Sequence, residues 1–199
     1  MKQLVLMFTI LFTLNSHAQL NITIDGGNAS ALPIAVVDFV NPTDPLATNM
    51  AEVIRNDLAR SGQFKPLDKD LMVDQPGSDA DINFGTWRLL GADFISYGDI
   101  TYLDADRMEV RFRLSSVADQ KQLLALTLPL NKAQARAGAH YIADRIYEAI
   151  LGIPGVFSTK LAYVTATQTA DGFTYQMIVA DSDGFGPQSL VTSKEPLLS

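Results

Sequence analysis

The sequence predicts an α+β chain: a mixed sheet of about five strands with helices on one face, then a separate run of short strands. Three observations carry this. Ala135, Ala139, Ile142, Ile146, Ala149 and Ile150 recur at helical spacing and make one apolar face. Met108, Val110, Phe112 and Leu114 alternate with Glu109, Arg111, Arg113 and Ser115, the pattern of a strand with one wet side. The period then changes from 3.6 to 2 across Gly152-Ile153-Pro154-Gly155, so that a helix ends and Lys160-Leu161-Ala162-Tyr163-Val164-Thr165 begins a strand. That Gly/Pro hinge reads as a domain boundary.

The elements follow in chain order. Lys2, the apolar run of residues 4–14 and the small residues of Ser16-His17-Ala18 have the form of a cleavable export signal covering residues 1–18. The run is too short to span a bilayer of roughly 30 Å. Its removal leaves His140 as the one histidine. Gln19, Leu20, Asn21, Ile22, Thr23, Ile24 and Asp25 alternate as a short half-polar strand ending at Gly26-Gly27. Residues 33–40 read as a more apolar, central strand that opens on Pro33.

Asp44-Pro45 is a helix start, and Met50, Val53, Ile54 and Leu58 form the buried face of that helix up to Gly62. Residues 64–67 read as a short strand and residues 68–83 as an acidic, turn-rich surface loop. Residues 84–90 read as a short helix that docks through Trp87 and stops at Gly91. Residues 92–102 form a strand, and residues 108–115 and 123–130 a hairpin turning near Ala118-Asp119. Asn131 is placed to cap the long helix. After the hinge, residues 161–167, 173–180 and 188–192 are three short strands separated by Ala170-Asp171-Gly172 and Asp181-Ser182-Asp183-Gly184. Three strands joined by tight turns look like most of one propeller blade, a unit that needs neighbours.

Composition narrows the function. A formal net charge of −7 and a pI near 4.7 argue against nucleic acid as a partner. The absence of cysteine removes disulfides, thiolate catalysis and cysteine zinc sites. His140 stands between Arg136 and Asp144 at helical spacing, which predicts a solvated, charge-paired face rather than a catalytic base. Asp181-x-Asp183-Gly184 opens like a calcium loop but lacks the later ligands, so it reads as a turn, and Asp104-x-Asp106 reads the same way. No phosphate loop, nucleophile elbow or H-E-x-x-H motif is present in the sequence. Neither a cofactor nor an enzymatic activity is expected.

Several runs together resemble a known family. They are Asp57-Leu58-Ala59-Arg60-Ser61-Gly62-Gln63-Phe64-Lys65-Pro66-Leu67-Asp68, Gln75-Pro76-Gly77, Trp87-Arg88-Leu89-Leu90-Gly91-Ala92-Asp93, Ala137-Gly138-Ala139-His140 and Gly152-Ile153-Pro154-Gly155-Val156-Phe157, then Leu161-Ala162-Tyr163-Val164. In order and spacing they are similar to the TolB family, periplasmic proteins of the Tol-Pal system with an N-terminal α/β domain and a six-bladed, WD40-like β-propeller. The resemblance implies an α/β domain over residues 19–157 and an incomplete, truncated first blade over residues 158–199.

It also implies a periplasmic scaffold that links TolA to the outer-membrane lipoprotein Pal, maintaining the outer membrane and its invagination during division. The residues after the signal, Gln19 to Asp25, are then the segment that meets the TolA C-terminal domain, while Pal belongs to the propeller. A plain edge strand of the home sheet is the competing reading of that segment. Two other classes stand beside the scaffold. One is an accessory domain of a secreted propeller hydrolase, which needs a nucleophile elbow. The other is an outer-membrane assembly factor, which needs a lipobox cysteine.

Overall fold

The computed structural model describes residues 31–40, 50–72 and 74–197. The export signal, the strand of residues 19–25 and the Asp44-Pro45 helix start lie outside the described residues. Strand β1 (Leu32–Val36) sits between two parallel neighbours, β2 (Phe64–Pro66) and β3 (Phe94–Tyr102). Strands β4 (Arg107–Ser116) and β5 (Lys121–Asn131) continue the sheet antiparallel, giving the order β2-β1-β3-β4-β5. The expected mixed sheet of five strands is therefore present, with β1 inside it. β1 is shorter than its apolar run; Val40 rejoins the ladder only as an isolated parallel bridge to Asp99.

Helix α1 (Met50–Arg60) connects β1 to β2 and buries Met50, Val53, Ile54 and Leu58, as the spacing predicts. Gly62 ends it in the left-handed region, with φ 70°. Helix α3 (Ala135–Leu151) packs beside α1 on the same face of the sheet. Between them lies the larger core: Ile34 and Val36 of β1, Val110, Phe112 and Leu114 of β4, and Ile54, Leu58, Ile142 and Ile146 of the helices.

The expectation of helices on one face is corrected. Helix α2 (Phe84–Leu89) lies on the opposite face, where Trp87 is fully buried with Ala35, Val37, Ile95, Tyr97 and Val117. Residues of both parities in β1 and β3 are apolar, so the parallel part of the sheet has two faces to cover. The long connection before α2 helps to cover the second: Leu67, Met72 and Ile82 pack there, and Pro76 is buried. Asn83 caps α2 by accepting from the Gly85 N–H at 3.1 Å.

Two further expectations change at α3. Asn131 still belongs to the β5 ladder, opposite Arg107, and its N–H donates to Gln134 Oε1 at 3.0 Å. A 3₁₀ turn over Lys132–Gln134 intervenes, and the α-helix starts at Ala135. Ala149 is exposed, while His140 is buried, because α3 is covered by α1 as well as by the sheet.

Beyond Gly152, whose φ of 73° closes α3, strands β6 (Lys160–Thr169), β7 (Gly172–Asp181) and β8 (Gln188–Ser193) form an antiparallel sheet of their own. Ala180 is its one buried residue among the described ones. No helix among the described residues is long and apolar enough to cross a membrane.

Candidate functional site

The segment expected to meet a partner, residues 19–25, lies outside the described residues. What the fold does assemble is a charged cluster where α1, α3 and the second sheet meet. Its centre is Asp57, which falls on the buried stripe of α1 between Ile54 and Leu58 and is fully buried. His140 of α3 lies opposite, with Nδ1 2.6 Å from Asp57 Oδ2. The other carboxylate oxygen accepts from Arg60 at 2.8 Å. A buried carboxylate is tolerated only with partners of this kind.

One turn before His140, Arg136 reaches across to the second sheet. It pairs with Asp181, Nε to Oδ2 at 3.4 Å, and with Asp183. Its guanidinium lies 3.9 Å from the Phe185 ring centroid, a cation–π contact. Lys160 also pairs with Asp181. Burial pushes the Asp181 carboxyl up, but Lys160, with Arg136 adding to it, more than offsets this and holds it below the usual carboxylate range. Ser182 donates to the Phe157 carbonyl at 2.7 Å and receives a long contact, 3.4 Å, from Arg60. A cleft of about 530 Å³ opens beside this joint, with Arg60, Tyr147, Ile153, Val156, Lys160 and Leu161 among its walls.

The expected solvated face of α3 is thus corrected: Arg136, His140 and Asp144 each engage another element instead of one another. Asp144 accepts from the N–H groups of Phe157 and Ser158 at 2.6 and 3.0 Å. The acidic dipeptide motifs do act as turns. Asp181 O accepts from the Gly184 N–H at 2.8 Å, and Asp183 Oδ1 from the Phe185 N–H at 3.0 Å. Asp104 accepts from the N–H groups of Asp106 and Arg107 at 3.0 and 2.8 Å. Sequence reasoning passed over Asp57. Its signal was a carboxylate inside an apolar helical stripe, three residues after Ile54 and one before Leu58.

As chemistry, three carboxylates set against Arg60, Arg136 and Lys160 make an ionic tie between the layers. The Ser182 hydroxyl is committed to the Phe157 carbonyl, which leaves it poorly placed as a nucleophile.

The profile of the TolB amino-terminal domain matches residues 20–123, just over half of the chain. The chain belongs to the TolB amino-terminal domain family. A Tol-Pal system protein TolB from Nitrosococcus oceani is 43% identical over 183 residues, covering 92% of this chain and 42% of its own. Another TolB, from a Marinomonas species, is 38% identical over 201 residues, covering 100% of this chain and 46% of its own. The crystal structure of TolB from Acinetobacter baumannii superposes with a TM-score of 0.73 at 30% identity, over 89% of this chain and 43% of that one. The chain therefore spans less than half the length of the TolB relatives it matches, and their names carry no enzymatic activity.

Proposed function

We propose that this chain is part of a periplasmic scaffold of the Tol-Pal system, a binding protein and not an enzyme. The observation that supports this best is the 43% identity, across nearly the whole chain, to a relative named as a Tol-Pal system protein TolB. In this reading residues 1–18 direct export and are removed. Residues 19–157 are the α/β domain, and residues 158–199 contribute the first strands of a β-propeller. The β6–β8 sheet favours that role: three antiparallel strands with one buried residue form a unit suited to stacking against further blades.

The partner contact lies at the mature N-terminus. Gln19 to Asp25 adds as a strand to a sheet edge of the TolA C-terminal domain, with Leu20, Ile22 and Ile24 filling alternate pockets. Pal is held by the propeller. Linking the two maintains the outer membrane and draws it inward at division.

The test is calorimetric titration of the TolA C-terminal domain into the full chain and into one lacking residues 19–25, with circular dichroism to follow folding. Deletion is expected to abolish binding and leave the fold intact. Thr23→Pro is expected to weaken binding, because it removes one ladder donor. Equal affinity of the deleted and full chains would overturn the assignment.

A further inference from the structure

We propose that His140, Asp181 and Asp183 form a binding site for a divalent transition-metal ion of the zinc class, which pins the β6–β8 sheet to α3. A ring nitrogen of His140 and one carboxylate oxygen each from Asp181 and Asp183 lie within 4.8 Å of one another. Acidic groups alone would not mark a site. The distinguishing feature is the imidazole, a residue only 3% exposed whose Nε2 has no hydrogen-bond partner among the described residues. A buried polar atom left in this condition calls for a ligand.

Its other nitrogen, Nδ1, faces the fully buried Asp57 carboxylate at 2.6 Å. A histidine that donates Nδ1–H to a carboxylate is held in one orientation and presents the Nε2 lone pair, the support typical of metal-binding histidines. Arg60 on the far oxygen steadies Asp57 in turn.

The donor set decides the class of ion. One imidazole nitrogen and two carboxylate oxygens suit zinc and its neighbours, with water completing the shell, whereas calcium requires six to eight oxygens. Ligand atoms about 2.1 Å from a tetrahedral ion stand roughly 3.4 Å apart, so atoms spread over as much as 4.8 Å draw together on binding. Asp183 sits in the turn after β7, outside the ladder, and is the ligand that moves.

Arg136, which spans both carboxylates, and Lys160, which pairs with Asp181, are the competing cations. A cleft of about 190 Å³, lined by Glu52, Val53, Asn56, Arg136 and Asp183, opens beside the first. That cleft reaches Asp183 and sets another carboxylate, Glu52, in the same walls as the guanidinium. Ion binding and these pairings compete for the same carboxylates.

Titration of zinc chloride into chelator-treated full chain, followed by calorimetry and by thermal melting, tests this. One ion per chain and a raised melting temperature are expected. Asp183→Asn keeps an oxygen for the Phe185 N–H and should weaken binding at least about tenfold; Asp57→Asn should weaken it about 10- to 100-fold. His140→Gln should abolish binding. Arg136→Met, which removes one competitor, should tighten it. No uptake at submillimolar zinc, unchanged affinity in Asp183→Asn, or weaker binding in Arg136→Met each overturns the site. The last two stand even where His140→Gln fails to fold.

Discussion

At Gly98 the β4 backbone occupies the space a side chain would need. A Cβ there would fall 1.9 Å from the Arg111 carbonyl oxygen and 3.2 Å from the Phe112 Cα, both backbone atoms that cannot step aside. Gly98→Ala is expected to destabilise by about 2–3 kcal/mol, read as a lower urea midpoint with an unchanged slope. Next to it, Tyr97 is buried, donates to Asp79 and has Ser115 Oγ at 3.0 Å. Burial, reinforced by Asp79, pushes the phenol up to about 12. The native state therefore keeps its proton where an unfolded chain, with phenols ionising near pH 10, has lost it. This contribution is complete below about pH 10 and is lost as the pH rises toward 12. Tyr97→Phe should flatten the fall of melting temperature across that window; an unchanged alkaline limb would show that the phenol plays no part in it.

At the scale of elements, the α3–β6 junction carries the most instruction. Its Gly-Ile-Pro-Gly sequence reads as a loose hinge, yet the chain folds back onto α3. A Cβ at Gly155 would lie 2.6 Å from Asp144 Cα, and Asp144 ties down the N–H groups of Phe157 and Ser158. Phe157 is buried in the main core, edge-on to Tyr147 with ring centroids 5.7 Å apart. Asp144→Ala removes both acceptors and is expected to cost about 1–2 kcal/mol. Hydrogen exchange locates the effect: the Phe157 and Ser158 amides should exchange faster while the middle of α3 keeps its protection. If those two amides remain as slow as in the parent, the carboxylate is dispensable.

At the scale of the molecule, the two sheets differ in how they are covered. The five-stranded sheet has α1 and α3 on one face, and α2 with its preceding loop on the other. The β6–β8 sheet has one buried residue among the described ones and exposes Leu161, Phe173, Leu190 and Val191. Its ties to the rest include the Arg136 and Arg60 contacts with residues 181–183 and the Ser182–Phe157 hydrogen bond. Few buried contacts make for low local stability. Limited proteolysis is therefore expected to cut after Lys160 well before it attacks residues 50–157, leaving a resistant core that ends near the junction. Mass spectrometry of the fragments checks this, and a β6–β8 region as resistant as the core would refute it.

The sequence by itself determined the local elements, because each is written in short-range periodicity and punctuation. The alternation at Met108–Leu114 placed β4, the Met50, Val53, Ile54 and Leu58 spacing placed α1, and Gly62, Gly91 and Gly152 marked where helices stop. The family was legible as well, in runs that need no contacts to be recognised. Tertiary structure alone decided what each face meets. Periodicity announces that a stripe is buried without naming its partner, so the face of the sheet that α2 covers through Trp87 could not be read from α2's own residues. Nor could the burial of His140. Its partner Asp57 stands 83 positions earlier, and Asp181 and Asp183 follow at the end of β7 and in the turn after it. Only the packing of α1 against α3, with the second sheet's turn laid beside them, brings these groups together.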